Sequence, residues 1–349
     1  MAILDNPIGT RGFEFVSYTG DDAQALSQLF DRMGIPAIAR HKSRNLTIHQ
    51  SGKVTFLINN EPSGHAGDFR AQHGSGANAM AFRVADAEKA YAEALNRGAT
   101  AVEDADDPIR ARAIEAIGGS RIYFIDDAVA ADFYENEFTI MSGNEWNRIG
   151  PSGLQFIDHL THNVHRGQMK VWADFYERIF NFREIRHFDI EGKKTGLHSK
   201  AMTSPCGHIR IPLNESQDEK SQIEEFLREY NGEGIQHIAL SAADIYESIP
   251  MMRRRGIHFQ DTPDTYYELL PNRLPENRED VGFLRNEKIL VDGGEAQGGG
   301  FLLQIFTQNV IGPIFFEIIQ RKGNEGFGEG NFQALFESIE LDQERRGVI

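Results

Sequence analysis

Gly234-Ile235-Gln236-His237-Ile238-Ala239-Leu240 decides the reading of this sequence, because it repeats, with altered chemistry, Gly76-Ala77-Asn78-Ala79-Met80-Ala81-Phe82. After each run comes an aspartate placed to cap a helix, Asp86 or Asp244, and a glycine 12 residues further on, Gly98 or Gly256, placed to stop it. Pro250 predicts a kink or a late start in the second of these helices. Upstream, Gly12-Phe13-Glu14-Phe15-Val16 and Gly153-Leu154-Gln155-Phe156-Ile157 alternate as half-buried strands do. Each precedes a helical pattern: Leu26, Leu29, Phe30 and Met33 in one copy, Phe175-Tyr176-Glu177-Arg178-Ile179 in the other. Further strands end in Asn60-Glu61 and Asn214-Glu215, and each copy closes on a predicted strand, Phe133-Tyr134-Glu135 or Phe315-Phe316-Glu317. The chain is therefore an α+β protein built as two tandem units, 1–148 and 149–349, joined across the Gly/Asn/Pro-rich segment 142–153. The second unit is longer by about 22 residues, which fall within 258–297 and include Tyr266, Tyr267, Leu269 and Leu270. A long insertion of this kind is often functional.

Composition narrows the functions open to such a chain. Its 349 residues hold 36 Lys or Arg against 52 Asp or Glu, a formal net charge of −16. That surface repels phosphate and anionic lipid, so no nucleic-acid or membrane partner is expected. Hydrophobic residues at 40% supply two cores, and no run approaches the roughly 18 apolar residues of a membrane span. The opening, Met1 to Pro7, has neither a basic start nor an apolar run. Together with the single Cys206, read as a small half-buried filler, this predicts a cytoplasmic protein.

The repeat sorts twelve histidines into a short list. Where the first copy has Tyr18, Ala79 and Glu135, the second has His159, His237 and Glu317. Two imidazoles and a carboxylate from three strands, facing one way, make a facial triad that leaves positions open for substrate and oxygen. The first unit is expected to hold no metal, and its Glu135 to be structural. Simple alternation puts Ile157 with His159 and sends His162 to the opposite face; His165 falls in the following loop. His41, His49, His65, His73, His187, His198, His208 and His258 are read as ordinary core or surface residues. Gln304 stands out in the apolar run Phe301-Leu302-Leu303-Gln304-Ile305-Phe306, because a buried amide is costly unless it meets a polar partner.

Five segments resemble the 4-hydroxyphenylpyruvate dioxygenases of the vicinal oxygen chelate superfamily: Asp158-His159-Leu160-Thr161-His162-Asn163-Val164, Gly234-Ile235-Gln236-His237-Ile238-Ala239, Leu303-Gln304-Ile305-Phe306-Thr307, Phe315-Phe316-Glu317-Ile318-Ile319-Gln320-Arg321 and Gly326-Phe327-Gly328-Glu329-Gly330-Asn331-Phe332. The resemblance is dense after Leu154 and thin before Phe133. It implies two tandem modules, each a repeated βαβββ unit forming an open barrel, plus a C-terminal helix. It also implies one ferrous ion per chain on His159, His237 and Glu317, and conversion of 4-hydroxyphenylpyruvate and oxygen to homogentisate and carbon dioxide in tyrosine and phenylalanine catabolism. The substrate's own 2-oxo acid would chelate the metal, so no separate 2-oxoglutarate is needed. Gln236, Gln304 and Phe332 are implied as catalytic residues, with Ser199, Asn214, Gln222, Phe306, Phe315 and Phe327 around the substrate, in a homo-oligomer, dimer or tetramer. Rival readings are 4-hydroxymandelate synthase, an extradiol catechol dioxygenase, and a sequestration module without catalysis.

At the C-terminus, Phe332, Leu335, Phe336 and Ile339 fall on one helical stripe behind Asn331, an expected N-cap. This predicts a docking helix that also serves as a lid, hinged at Gly323, Gly326, Gly328 and Gly330, with Phe332 reaching the pocket.

Overall fold

The protein is described by a computed structural model covering residues 5–191 and 196–345. Met1 to Leu4, residues 192–195 and the final residues 346–349 lie outside the described residues, and with them part of the predicted start and lid.

The first unit runs β1 (Thr10–Thr19), α1 (Ala23–Arg32), β2 (Ala37–His41), β3 (Leu46–Ser51), β4 (Val54–Asn59), α2 (Gly64–His73), β5 (Gly76–Val84), α3 (Ala87–Asn96), β6 (Ala113–Glu115), β7 (Arg121–Ile125), α4 (Asp127–Ala131) and β8 (Phe138–Ile140). The second runs β9 (Leu154–Val164), α5 (Met169–Phe180), β10 (Arg183–Glu191), β11 (Gly196–Thr203), β12 (Arg210–Ser216), α6 (Gln222–Glu229), β13 (Gly234–Ala242), α7 (Ile245–Arg254), α8 (Asp264–Arg273), α9 (Val281–Glu287), β14 (Leu290–Gly293), β15 (Phe301–Phe306), β16 (Phe315–Lys322) and α10 (Glu329–Arg345). Asp86 and Asp244 cap α3 and α7 through their carboxylates, as the repeat predicted. Gly98 and Gly256 follow these helices with φ of +87° and +83°, the left-handed turn that ends a helix. Pro250 lies inside α7, which begins directly after its cap Asp244, so the helix shows no late start.

Each unit forms an eight-stranded mixed sheet, in the order β6-β7-β5-β1-β4-β3-β2-β8 and β10-β11-β12-β9-β13-β16-β15-β14. Seven strands correspond: β7 lies parallel to β5 as β16 lies parallel to β13. The two sheets share one core. Tyr18, Phe30 and Phe56 of the first unit pack against Phe316 of the second, with ring centroids 5.7–6.4 Å apart.

The correspondence corrects the register of the repeat. In β9, Ala239 pairs with His159 and Leu240 with Ile157, so Asp158 is a β-bulge; in β13, Gln236 is another. The first sheet has the same two bulges, at Glu14 and Asn78. Matched this way, His159 corresponds to Phe15, His237 to Ala79 and Glu317 to Tyr123. Tyr18 instead takes the place of His162 and faces the shared core. Glu135 lies in no strand: Asp126 caps α4, the chain leaves the sheet, and Asp132–Asn136 forms a π-helical turn with Glu135 exposed. The bulge at Asp158 also separates Ile157, which faces the shared core, from His159, which faces the other way. Strict alternation had put them together.

The insertion builds α8, α9 and β14, and α8 is the platform on which α10 docks. Tyr266 donates its hydroxyl hydrogen to Asn331 Oδ1 at 2.6 Å, and Asn331 Nδ2 donates to Gln304 Oε1 at 3.2 Å. These bonds set the rotation of α10. Its buried face carries Asn331, Ala334 and Ser338, while Phe332 and Ile339 are 39% and 41% exposed. Asn331 is thus a buried helical residue and not the N-cap; of the predicted stripe, Leu335 packs against the core, Phe332 and Ile339 do not, and the side chain of Phe336 lies outside the described residues.

Candidate metal centre

His159, His237 and Glu317 project from β9, β13 and β16 with one ligand atom of each within 4.8 Å of the others. The geometry of the imidazoles is set by their other nitrogens. His159 Nδ1 lies 2.9 Å from Asp158 Oδ1, and His237 Nδ1 lies 3.0 Å from Gln236 Oε1. With the hydrogens on Nδ1, both Nε2 atoms face Glu317 Oε2, at 3.1 and 3.5 Å. Each holding group is the bulge residue next to its histidine. A bulge turns the preceding side chain alongside its neighbour, where a regular strand would send it through the sheet.

Charge balance follows from burial. Burial alone would raise Glu317, but the adjacent imidazoles hold it down at about 2. Burial would lower His159, yet the Glu317 and Asp158 carboxylates leave it raised; in His237 burial prevails and the shift is downward. Asp158, despite its own burial, is held well below the usual carboxylate range by hydrogen bonds from Arg321 and His159. Glu317 Oε1 is buried with no hydrogen-bond partner. An orphaned carboxylate oxygen and two imidazole Nε2 atoms converging on its mate suit a divalent first-row ion.

Both halves of the chain match families of known chemistry. The model for the N-terminal part of hydroxyphenylpyruvate dioxygenase matches residues 4–139, and the glyoxalase/bleomycin resistance protein/dioxygenase superfamily model matches residues 156–270. The 4-hydroxyphenylpyruvate dioxygenase of Pseudomonas aeruginosa is 54% identical over 349 residues, covering 99% of this chain and 97% of that protein. The chain belongs to the 4-hydroxyphenylpyruvate dioxygenase family. A Vibrio vulnificus protein named hemolysin VllY is also 54% identical, over 351 residues, 99% of this chain and 98% of its own. Among solved structures, a triple mutant of 4-hydroxymandelate synthase from Streptomyces coelicolor superposes with a TM-score of 0.80 at 26% identity, covering 96% of this chain and 99% of that one.

Against this family background, the remaining predicted residues separate into groups. Phe315 stacks on His237 at 4.9 Å and 17°, Phe327 meets His159 edge-on at 5.3 Å, and Phe306 lies 6.0 Å from Phe315. Ser199 and Asn214 are direct cross-strand partners, and Asn214 is in turn the partner of Asn163. The three therefore form one polar row on the face of His159. Asn163 was missed from sequence, although both its amide atoms are buried without partners. Gln304 is buried and engaged by Asn331. Gln222, the first residue of α6, is exposed, as is Phe332, and among the described residues no hydrogen bond or ring contact joins either to the triad. His162 points into the shared core, bonded to the Tyr176 hydroxyl at 2.8 Å, and burial pushes it down to about 3. In the first unit the triad positions hold Phe15, Ala79 and Tyr123; Tyr123 donates to Asp107 at 2.5 Å, and Asp107 also takes Arg121 at 2.7 Å.

Proposed function

We propose that the chain is a ferrous dioxygenase converting 4-hydroxyphenylpyruvate and oxygen to homogentisate and carbon dioxide, with one iron per chain on His159, His237 and Glu317. The observation that carries this is the convergence of three correctly presented donors in a chain 54% identical to a bacterial 4-hydroxyphenylpyruvate dioxygenase. The chemistry supplied by bound ferrous iron is chelation of a 2-oxo acid and activation of oxygen.

The protein's own residues supply presentation, length and dryness. Asp158 and Gln236 hold the Nδ1 hydrogens, fixing both imidazoles with Nε2 toward the metal position. The polar row begins four residues beyond His159 on β9, about 13 Å along the strand at ordinary rise. That separation suits a ligand with a chelating head and a polar far end. Asn163, Asn214 and Ser199 offer donors and acceptors to a buried phenol, which would cost about 1–3 kcal/mol if left unpaired. Phe306, Phe315 and Phe327 wall the ring and exclude water. Gln304 acts through Asn331, seating α10.

A second reading is supported by the structural neighbour that is a 4-hydroxymandelate synthase mutant. On that reading this chain would take the same substrate to a benzylic alcohol, 4-hydroxymandelate; the higher identity to dioxygenases favours homogentisate. Anaerobic loading with ferrous iron, addition of 4-hydroxyphenylpyruvate and oxygen, and chromatography of the product separates the two. Release of 4-hydroxymandelate as the main product would reverse the assignment. The same proposal places the protein in the cytoplasm as a homo-oligomer, testable by fractionation and sedimentation. Among the described residues no helix is long and apolar enough to cross a membrane.

A further inference from the structure

Arg321 lies at the far end of β16 from the first contacts with the metal ligands, and its guanidinium is used on every side. Nε donates to Asp158 Oδ2 and Nη2 to Asp158 Oδ1, both at 2.8 Å. Nη1 donates to the carbonyls of Asn324 at 3.1 Å and Gly326 at 2.7 Å. The carboxylate gripped on one side is the one that holds His159 Nδ1, and the carbonyls gripped on the other belong to the loop ahead of α10. That loop carries Phe327, whose ring sits 5.8 Å from the Arg321 guanidinium and 5.3 Å from the His159 ring. The contacts thus close on themselves: His159 to Asp158, Asp158 to Arg321, Arg321 to the loop, and Phe327 back to His159.

We propose that Arg321 is a positioning residue that joins the orientation of the ligand His159 to the closure of loop 323–328, so that metal binding and loop ordering strengthen each other. The inference rests on the metal reading above and deepens it. Only a planar fork can serve a carboxylate bidentately while giving its remaining N–H groups to two carbonyls; a lysine ammonium cannot. Side-chain exposures of 13% for Arg321 and 1% for Asp158 leave little water to replace these bonds. Arg210 also spans Asp158, at 3.5 Å, and Glu325 of the loop, but it contacts no loop carbonyl and Glu325 is exposed. Its contribution is accordingly smaller. Coupling through one guanidinium is reciprocal: whatever the metal does to the loop, the loop does to metal affinity by the same factor.

The test uses the full chain and Co(II) as probe, read by its visible absorption and dissociation constant, alongside amide hydrogen exchange of residues 323–328. In the unmutated protein, saturating Co(II) is expected to slow exchange in this loop about tenfold. Arg321→Gln is expected to bind Co(II) 10- to 100-fold more weakly, to exchange faster in the loop, and to lose the response of the loop to Co(II). Arg321→Lys should fail in the same direction, and Arg210→Gln should change either quantity less than threefold. Folded Arg321→Gln with unchanged Co(II) affinity overturns the proposal, as does a wild-type loop whose exchange ignores Co(II). This second arm decides even if Arg321→Gln does not fold. If wild-type protein bound no Co(II) that His159→Ala removes, the metal reading would fall and the coupling with it; binding without loop response overturns the coupling alone.

Discussion

His159 and His162 occupy the same strand and opposite environments, which makes them a test of the site at the scale of single residues. His159→Ala, His237→Ala and Glu317→Ala should each lose iron and turnover while remaining folded. His162→Ala should keep its iron and lose about 1–3 kcal/mol of stability, because the buried Tyr176 hydroxyl is left without its partner. Iron lost from His162→Ala and kept in His159→Ala would invert the assignment. The buried imidazole of His162 also predicts a pH dependence. Folded, it stays neutral down to about 3, whereas unfolded it takes a proton near 6.5. Between these values the unfolded chain binds more protons, so stability falls as pH drops through that window. The slope approaches about 1.4 kcal/mol per pH unit. Urea unfolding of metal-free protein between pH 4.5 and 6 should show a slope shallower by about one proton in His162→Gln, and an unchanged slope would mean the histidine is already charged. Of the proposed ligands, His237 is legible as a change from Ala79 at the matching place in the first copy; the repeat sets His159 against Tyr18 and Glu317 against the identical Glu135, so their place in the triad rests on the family resemblance. Asp158, Arg321 and Asn163 stood in the quoted motifs without a role, since nothing in a linear pattern shows which polar residues are buried or whom they meet.

At the scale of elements, the sequence conveyed strands and helices but not their irregularities. Two bulges, at Asp158 and Gln236, decide which residues share a face, and alternation counts straight through a bulge. The repeat register slips for a different reason: setting Gly153 against Gly12 displaces the two copies by three residues and pairs His159 with Tyr18, where the shared bulges pair it with Phe15. The C-terminal segment shows a related limit. Its glycines suggested a hinge, yet Gly328 and Gly330 are sites of close approach. A Cβ at Gly328, where φ is +79°, would lie 1.7 Å from Gln304 Oε1, and one at Gly330 would lie 2.3 Å from Asp292 Oδ1. Gly328→Ala should therefore lift the start of α10 off β15 and open the site to water. Oxygen consumed should then exceed homogentisate formed, as measured by an oxygen electrode against product chromatography. A variant as tightly coupled as wild type would show that α10 seats without this contact. Phe332→Ile, at an exposed position, should change stability by less than about 0.5 kcal/mol.

For the whole molecule, the question is what a module without the triad contributes. Alternation along β16 answers it. Glu317 faces the metal position, while its neighbour Phe316, fully buried, faces the first unit and packs among Tyr18, Phe30 and Phe56. The first sheet is thus the back wall of the strand that carries Glu317. Phe316→Ala should cost about 3–5 kcal/mol, the usual range for emptying a buried phenylalanine site. Because the cavity opens directly behind β16, the same variant should also bind iron severalfold more weakly, although no ligand has changed. Tyr18→Phe supplies the control: its hydroxyl is buried without a partner, so removing it should leave stability and metal affinity close to wild type. Unfolding curves and metal titrations on both variants check this together. Phe316→Ala with reduced stability and unaltered iron affinity would mean that the first unit only adheres to the second. A joint loss would mean that the copy without the triad holds Glu317 in place from behind.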